Sequence, residues 1–239
     1  MSVVIGHDAI GVNVSRLPPG QAAGYTTGTS GIAWNSSGWA AHPGAVRICQ
    51  DAAASDRTAD VLDVERYAAT NSVAAGWCKA AQKTFFAGAR PGQRSPALYT
   101  SASNVTPLVN ALIAGGVTHG CGLWVANWNL SQVQAYADVV NAAGPFPIIG
   151  VQWSSGPFYD TDVFSGTWLA RVSAILSAAG PPYRHLTRAG DTIGALAKAR
   201  NATVEHFLGR CAAAYTPADL GLLEAAKLPA DVPFYTEHP

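Results

Sequence analysis

Short runs rich in Val, Ile, Leu and aromatic residues recur along the first part of the chain, each separated from the next by a polar or glycine-bearing break. Ser2–Ile5, Val46–Cys49, Ala59–Val64, Ala97–Tyr99, Gly122–Ala126 and Ile148–Trp153 have the length and composition of strands. Between and after them, longer stretches carry apolar residues at helical spacing: Ala69–Ala87, Val105–Ala114, Ser131–Ala143 and Phe164–Ala179. Ser131 stands where a helix N-cap belongs. Strand followed by helix, repeated, predicts an α/β fold with parallel strands. The stretch is shorter than the roughly 200 residues of an ordinary eight-unit barrel, so the expected architecture is a compact or incomplete TIM-like β/α barrel. A flat doubly wound sheet is the alternative; no Gly-x-Gly-x-x-Gly opens a helix after the first strand, which weighs against it.

The pattern changes near residue 180. Ala178-Ala179-Gly180-Pro181-Pro182 reads as a helix stop followed by a stiff linker. Two units are therefore expected, 1–182 and 183–239. In the second, Ile193, Leu196 and Ala197 fall on one helical face after Gly190-Asp191-Thr192, and Val204, Phe207 and Leu208 repeat that spacing after Asn201-Ala202-Thr203. Leu228-Pro229 and Val232-Pro233-Phe234 are candidates for a closing strand.

Composition narrows the function classes. Hydrophobic residues make up 49% of the chain and charged residues 13%, which excludes a solvated disordered chain. Fifteen basic residues balance fifteen acidic ones, so nothing favours nucleic acid through a basic field. No run is long and apolar enough for a membrane span, and MSVVIGHDAI lacks the basic and apolar regions of a Sec signal peptide. Synthesis in the cytoplasm is expected. Cys49, Cys78, Cys121 and Cys211 are too widely spaced for a zinc ribbon or a redox pair, and read as free buried thiols. The histidines make no metal-ligand spacing, so neither metal nor cofactor is expected. A Gly-x-Ser-x-Gly elbow and a P-loop are both missing.

The strongest chemical signal is Asp60-Val61-Leu62-Asp63-Val64-Glu65-Arg66. On a strand, Asp63 and Glu65 face the same way, with Cβ atoms roughly 6–7 Å apart at ~3.3 Å rise per residue. Glycosidic cleavage uses carboxyl separations of roughly 5–9.5 Å. A second acid nearby also raises the pKa of its partner, so that one carboxyl can donate a proton. The same spacing equally fits a solvated strand end with Arg66 pairing the acids.

Asp8, Leu62-Asp63-Val64-Glu65, Pro96-Ala97-Leu98-Tyr99-Thr100, Leu123-Trp124-Val125-Ala126-Asn127-Trp128 and Gly150-Val151-Gln152-Trp153 follow in that order. Tyr159-Asp160-Thr161-Asp162-Val163-Phe164 comes after them. Over roughly residues 5–175 this succession resembles the family 25 glycoside hydrolases, the lysozyme-like muramidases of phages and bacteria. Gly24–Trp34 looks most like their actinobacterial glycoside hydrolase-like relatives. The resemblance implies a small β/α barrel and peptidoglycan as substrate, cut between N-acetylmuramic acid and N-acetylglucosamine. It implies Glu65 as general acid and Asp63 as the group that stabilises positive charge or orients the N-acetyl group. Asp160 or Asp162 would match the aspartate near the last strand. Tyr99, Trp124, Trp128 and Trp153 would line the sugar groove, with Asn127 and Gln152 among the contacts. The family opens with Asp-x-Ser on its first strand; here both His7-Asp8-Ala9 and Asn13-Val14-Ser15 stand in range, so the first acid position falls to Asp8 or to Asn13.

The segment from Tyr183 resembles a LysM module, a β-α-α-β unit that binds N-acetylglucosamine-containing polymers, on its Gly190-Asp191-Thr192-Ile193 and Asn201-Ala202-Thr203. The match is best over 184–208. Barrel plus LysM-like module points to a wall-directed hydrolase such as an endolysin or a virion-associated lysin. It points equally to a non-catalytic wall-binding protein, or to a tail, baseplate or injection-particle component whose partners are other virion proteins.

Overall fold

A computed structural model describes residues 3–86, 89, 90, 92–128, 135, 139, 142–170, 183–186 and 233–236 of the 239-residue chain. Eight strands close into one barrel: β1 Val3–Ala9, β2 Gln21–Tyr25, β3 Val46–Cys49, β4 Val61–Asp63, β5 Ala97–Ser101, β6 Gly122–Ala126, β7 Ile148–Ser155 and β8 Asp160–Ser165. The barrel is closed, where an incomplete one was also expected. Neighbours from β1 to β7 run parallel. Strand β8 runs antiparallel to both β7 and β1, so the sheet is mixed rather than all parallel. The cause is local. Only Gly156–Tyr159 separates β7 from β8, with the Gly156 N–H donating to the Tyr159 carbonyl at 3.1 Å. A connection that short can only return the chain antiparallel.

Strands β2 and β8 were not expected from the hydrophobic pattern, and β1 continues four residues past Ile5. Phe164, expected to start a helix, is instead an inward residue of β8. A Cβ on Gly6 would sit 2.6 Å from its ring, and one on Gly150 2.9 Å from it, so both flanking strands are bare where it lies. The following helix starts at Gly166 and is described to Ala170; the rest of the expected Phe164–Ala179 span lies outside the described residues.

Helix α1 Ser36–Ala41 is capped by Asn35, whose Oδ1 accepts from the Gly38 N–H at 2.9 Å. Helices α2 Asn71–Phe86 and α3 Val105–Ala114 fall where helical spacing predicted them. Of the expected Ser131–Ala143 helix, Ala135 and Val139 are helical, Ala142 and Ala143 form a turn, and the remainder lies outside the described residues.

Strand alternation sorts the core into two layers. Outward residues such as Leu62, Leu98, Leu123 and Val125 pack against Trp77, Ala81, Leu108 and Leu112 of α2 and α3. Inward residues Ala23, Ile48, Val61, Tyr99, Trp124 and Phe164 fill the barrel. Trp168 plugs the end from which the parallel strands start, stacking on Phe164 and donating from Nε1 to the Ser95 carbonyl at 2.9 Å. Asp60 belongs to the same end. Wholly buried, it pairs with Arg90 and, at 3.3 Å, with Arg94, and accepts the N–H groups of Arg47 and Arg94. The first acid of the Asp60–Arg66 signal is therefore an internal tie between loops. A separate two-stranded antiparallel sheet pairs β9 Tyr183–Leu186 with β10 Pro233–Thr236. The positions read as helices at 193–208 lie outside the described residues.

Candidate active site

In a barrel whose strands run parallel, their C-terminal ends gather at one mouth, where loops rather than the packed interior are free to carry chemistry. Asp8 and Asp63 come near or at the ends of β1 and β4. Because β8 is antiparallel, its first residues share that mouth: Asp160 lies beside Asp8 in register, and Asp162 lies between Gly6 and Gln152. Alternation turns Asp8, Asp63, Gln152 and Asp162 inward, and all four are buried.

One amide organises the group. Gln152 Oε1 accepts from Tyr99 Oη at 2.9 Å and from Trp128 Nε1 at 2.7 Å. With its oxygen taken by two donors, its nitrogen faces the other way and donates to Asp8 Oδ1 at 3.1 Å. Asp8 Oδ2 accepts from Tyr25 Oη at 3.2 Å. Asp63 Oδ2 accepts from Gln50 Nε2 at 3.0 Å, and Asp162 Oδ1 accepts from Trp124 Nε1 at 3.1 Å. The second oxygens of Asp63 and Asp162 are buried without a donor among the described residues.

These surroundings favour protons on the acids. Burial, then the charge of Asp160, pushes the Asp8 carboxyl up to about 7, against the opposing hydrogen bonds from Tyr25 and Gln152. Burial and the charge of Glu65 push Asp63 up to about 7. Asp162 rises well above the ordinary carboxylate range through burial and the charges of Asp8 and Asp160. A set of acids that stays partly protonated near neutrality can deliver a proton as well as accept one.

Glu65 stands apart from this buried set. Strand β4 ends at Asp63, but the edge continues: the Val64 N–H donates to the Tyr99 carbonyl at 2.8 Å and the Val64 carbonyl accepts from Thr100 Oγ1 at 2.9 Å. Glu65 then lines a cleft of about 450 Å³ beside the ends of β4 and β5. It is half-buried, and burial raises its carboxyl. Part of the cleft wall is the Asn71–Asn104 amide pair, which exchanges hydrogen bonds at 2.9 and 3.0 Å. Trp128, 47% exposed, lines the same cleft and offers a flat apolar face.

The structure thus brings Asp8, Asp63, Tyr99, Trp124, Gln152 and Asp162 together inside the mouth, and Glu65 with Trp128 in the cleft. It does not hold Asp63 and Glu65 as two open acids on one face: the first is sealed in the barrel and the second is accessible. Trp124 is wholly buried, edge-on to Tyr99 and Phe164, and presents no face to a ligand. Trp153 packs with Val151, Val163 and Ala135 on the outside of the barrel, not in the mouth. Asn127 donates to the Ala135 carbonyl at 3.2 Å, tying its own loop. Asp160 is partly exposed and accepts the Gly156 N–H at 3.3 Å. Asp8 lies on β1, and Asn13 lies beyond it on the 3-10 turn Gly11–Arg16. Arg66 does not pair the acids but sits over the Tyr67 ring. Tyr25 and Gln50 escaped the sequence reading. Gln50 directly follows a recognised strand, which was signal enough to find it.

Among the described residues no three His, Cys, Asp or Glu side chains converge as metal ligands, and no helix is long and apolar enough to cross a membrane. Comparison with known proteins finds no matching family model, no matching curated protein and no matching solved structure.

Proposed function

We propose that the chain is a peptidoglycan-directed, glycoside hydrolase-like protein of phage or phage-related type. It engages the glycan between N-acetylmuramic acid and N-acetylglucosamine, with Glu65 as general acid. The observation that carries this reading is Glu65 itself: a carboxyl raised by burial, in an open cleft at the strand-end mouth of a barrel, with an exposed indole in the same lining. Protonated Glu65 would pass its proton to the leaving oxygen as the glycosidic bond breaks, and a water would add to the sugar carbon and return a proton to Glu65. Asp63, sealed in the barrel behind the cleft, would act on the sugar only through its field and not by contact. Trp128 would stack on the apolar face of a ring. The unit from residue 183 onward, read as LysM-like, would add wall affinity, with the boundary at about residue 182.

A second reading keeps the fold and drops the catalysis: a barrel retained for wall contact or for assembly with other tail or baseplate proteins. The sealing of Asp8, Asp63 and Asp162 favours it, since only Glu65 of these acids reaches the cleft. One experiment separates the two. Purified chain is incubated with bacterial cell walls, and the release of reducing ends is followed for wild type and Glu65→Gln. The hydrolytic reading expects release by wild type and a drop of roughly 10²–10⁴-fold in the variant, with wall binding kept. Equal release by both proteins removes Glu65 from the mechanism, and wall binding without release by either leaves the non-catalytic reading.

A further inference from the structure

The Glu65 cleft carries a charge that proton transfer does not use. Arg66 follows Glu65, is exposed, and lines the same cleft. The ion pairs among the described residues both fall on Asp60, and Arg66 takes part in neither. Its guanidinium instead lies 5.2 Å from the centroid of the Tyr67 ring. Tyr67 is itself 86% exposed, so a large aromatic ring stands in water with a guanidinium over its face. Stacking of this kind holds the planar group while leaving its N–H fork free for a carboxylate.

Apart from Glu65, the rest of the lining carries no charged side chain. Asn71 and Asn104 satisfy each other, and Trp128 is committed through its N–H to Gln152. Arg66 is the cation of this lining, and its exposed guanidinium, outside both ion pairs, is the group there that can take a ligand carboxylate. The volume, about 450 Å³, falls within the range of small-molecule sites.

Resting on the glycan reading above, we propose that this cleft selects wall glycans bearing a free carboxylate, and that Arg66, held by Tyr67, is the specificity-determining residue that pairs with it. Two groups of a wall polymer supply that chemistry: the lactyl ether of a muramic sugar freed of its peptide, and the carboxyl terminus of an attached peptide.

Titration calorimetry with three ligands tests the proposal: peptide-free glycan oligomers with free lactyl groups, intact muropeptides, and neutral N-acetylglucosamine oligomers of equal length. Preference of about tenfold or more is expected for at least one acidic ligand over the neutral one, as for a charge-assisted bidentate pair. Whichever acidic ligand binds tighter identifies the source of the carboxylate. In Arg66→Gln the preference should collapse to within about twofold, and Arg66→Lys should restore part of it, since the charge returns without the fork. Equal affinity of wild type for acidic and neutral oligomers, or a preference that survives Arg66→Gln, overturns the proposal and leaves the glycan reading intact. Failure to bind any of the three overturns both.

Discussion

Gln152 is the residue on which the mouth of the barrel depends. Its carbonyl oxygen is shared by Tyr99 and Trp128, and its amide nitrogen faces Asp8, so a single side chain ties the exposed indole of the cleft to a buried acid. Gln152→Glu isolates the nitrogen. The substitution keeps an oxygen for both donors and replaces the N–H toward Asp8 by a second acid. Loss of the donor and a like charge both act to raise a carboxyl. The acid set should therefore titrate above about 7 by roughly one further pH unit, followed through the carboxyl carbon shifts in nuclear magnetic resonance. Trp128 fluorescence should keep its wild-type maximum at low pH. An unchanged acid titration would mean that Gln152 does not set the ionisation of Asp8. At this scale Asp8, Asp63, Glu65 and Gln152 were legible in the sequence, because acids and amides at strand ends stand out against apolar runs. Orientation was partly legible too. Adjacent strand residues face opposite sides, so an inward Gln152 already sends Trp153 outward. What the sequence did not reveal was Tyr25, whose strand went unrecognised.

Among the elements, β2 shows why a strand escapes its own pattern. Gln21-Ala22-Ala23-Gly24-Tyr25 has no alternation of large apolar with polar residues, because the space on both faces is filled from elsewhere. Outside, Trp34 lies so close that a Cβ on Gly24 would fall 2.0 Å from its ring. The indole has little room to retreat, since its Nε1 donates to the Ala9 carbonyl at 2.7 Å and its ring packs on Trp39. Gly24→Ala should cost about 1–3 kcal/mol, the usual penalty for overfilling a packed core, read as a lower denaturant midpoint with unchanged slope. A midpoint equal to wild type would show that Trp34 can move aside. Strand β8 escaped for the opposite reason. Its inward positions are Asp160, Asp162 and Phe164, so acids stand where the pattern expects apolar residues, and the segment reads as a polar loop followed by a helix. Of the parallel strands β3 to β6, clad by α2 and α3, β3 and β6 keep their expected bounds, while β4 is shorter than the expected Ala59–Val64 and β5 runs two residues past Tyr99. The elements that close the barrel are the ones bent to the needs of the mouth, and there sequence pattern and structure part.

For the molecule as a whole, buried acids make folding sensitive to pH in a direction opposite to the common one. Asp8 and Asp63 both titrate near 7 when folded, against an ordinary value of 3.8. The folded barrel therefore holds protons that the unfolded chain has already released between pH 4 and 7. A group raised on folding contributes stability that is fully present below its unfolded value and is lost as pH climbs through its folded one. Asp162, also raised well above the ordinary carboxylate range, acts in the same direction. Asp51 and Asp56 work the other way, held low by hydrogen bonds from Ser55 and Thr58 among others, but their effect is confined to pH below about 4. The melting temperature should accordingly fall between pH 5 and pH 8. Each kcal/mol lost is worth about 2–4 °C in a domain of this size, so the drop should reach several degrees. Asp8→Asn and Asp63→Asn remove the titrating groups, and each should flatten the curve over that interval. Calorimetric melts of the three proteins at matched ionic strength supply the check. A wild-type melting temperature that stays level or rises from pH 5 to pH 8 would mean that the acids at the mouth are ionised at little cost, and that the barrel does not store their protons.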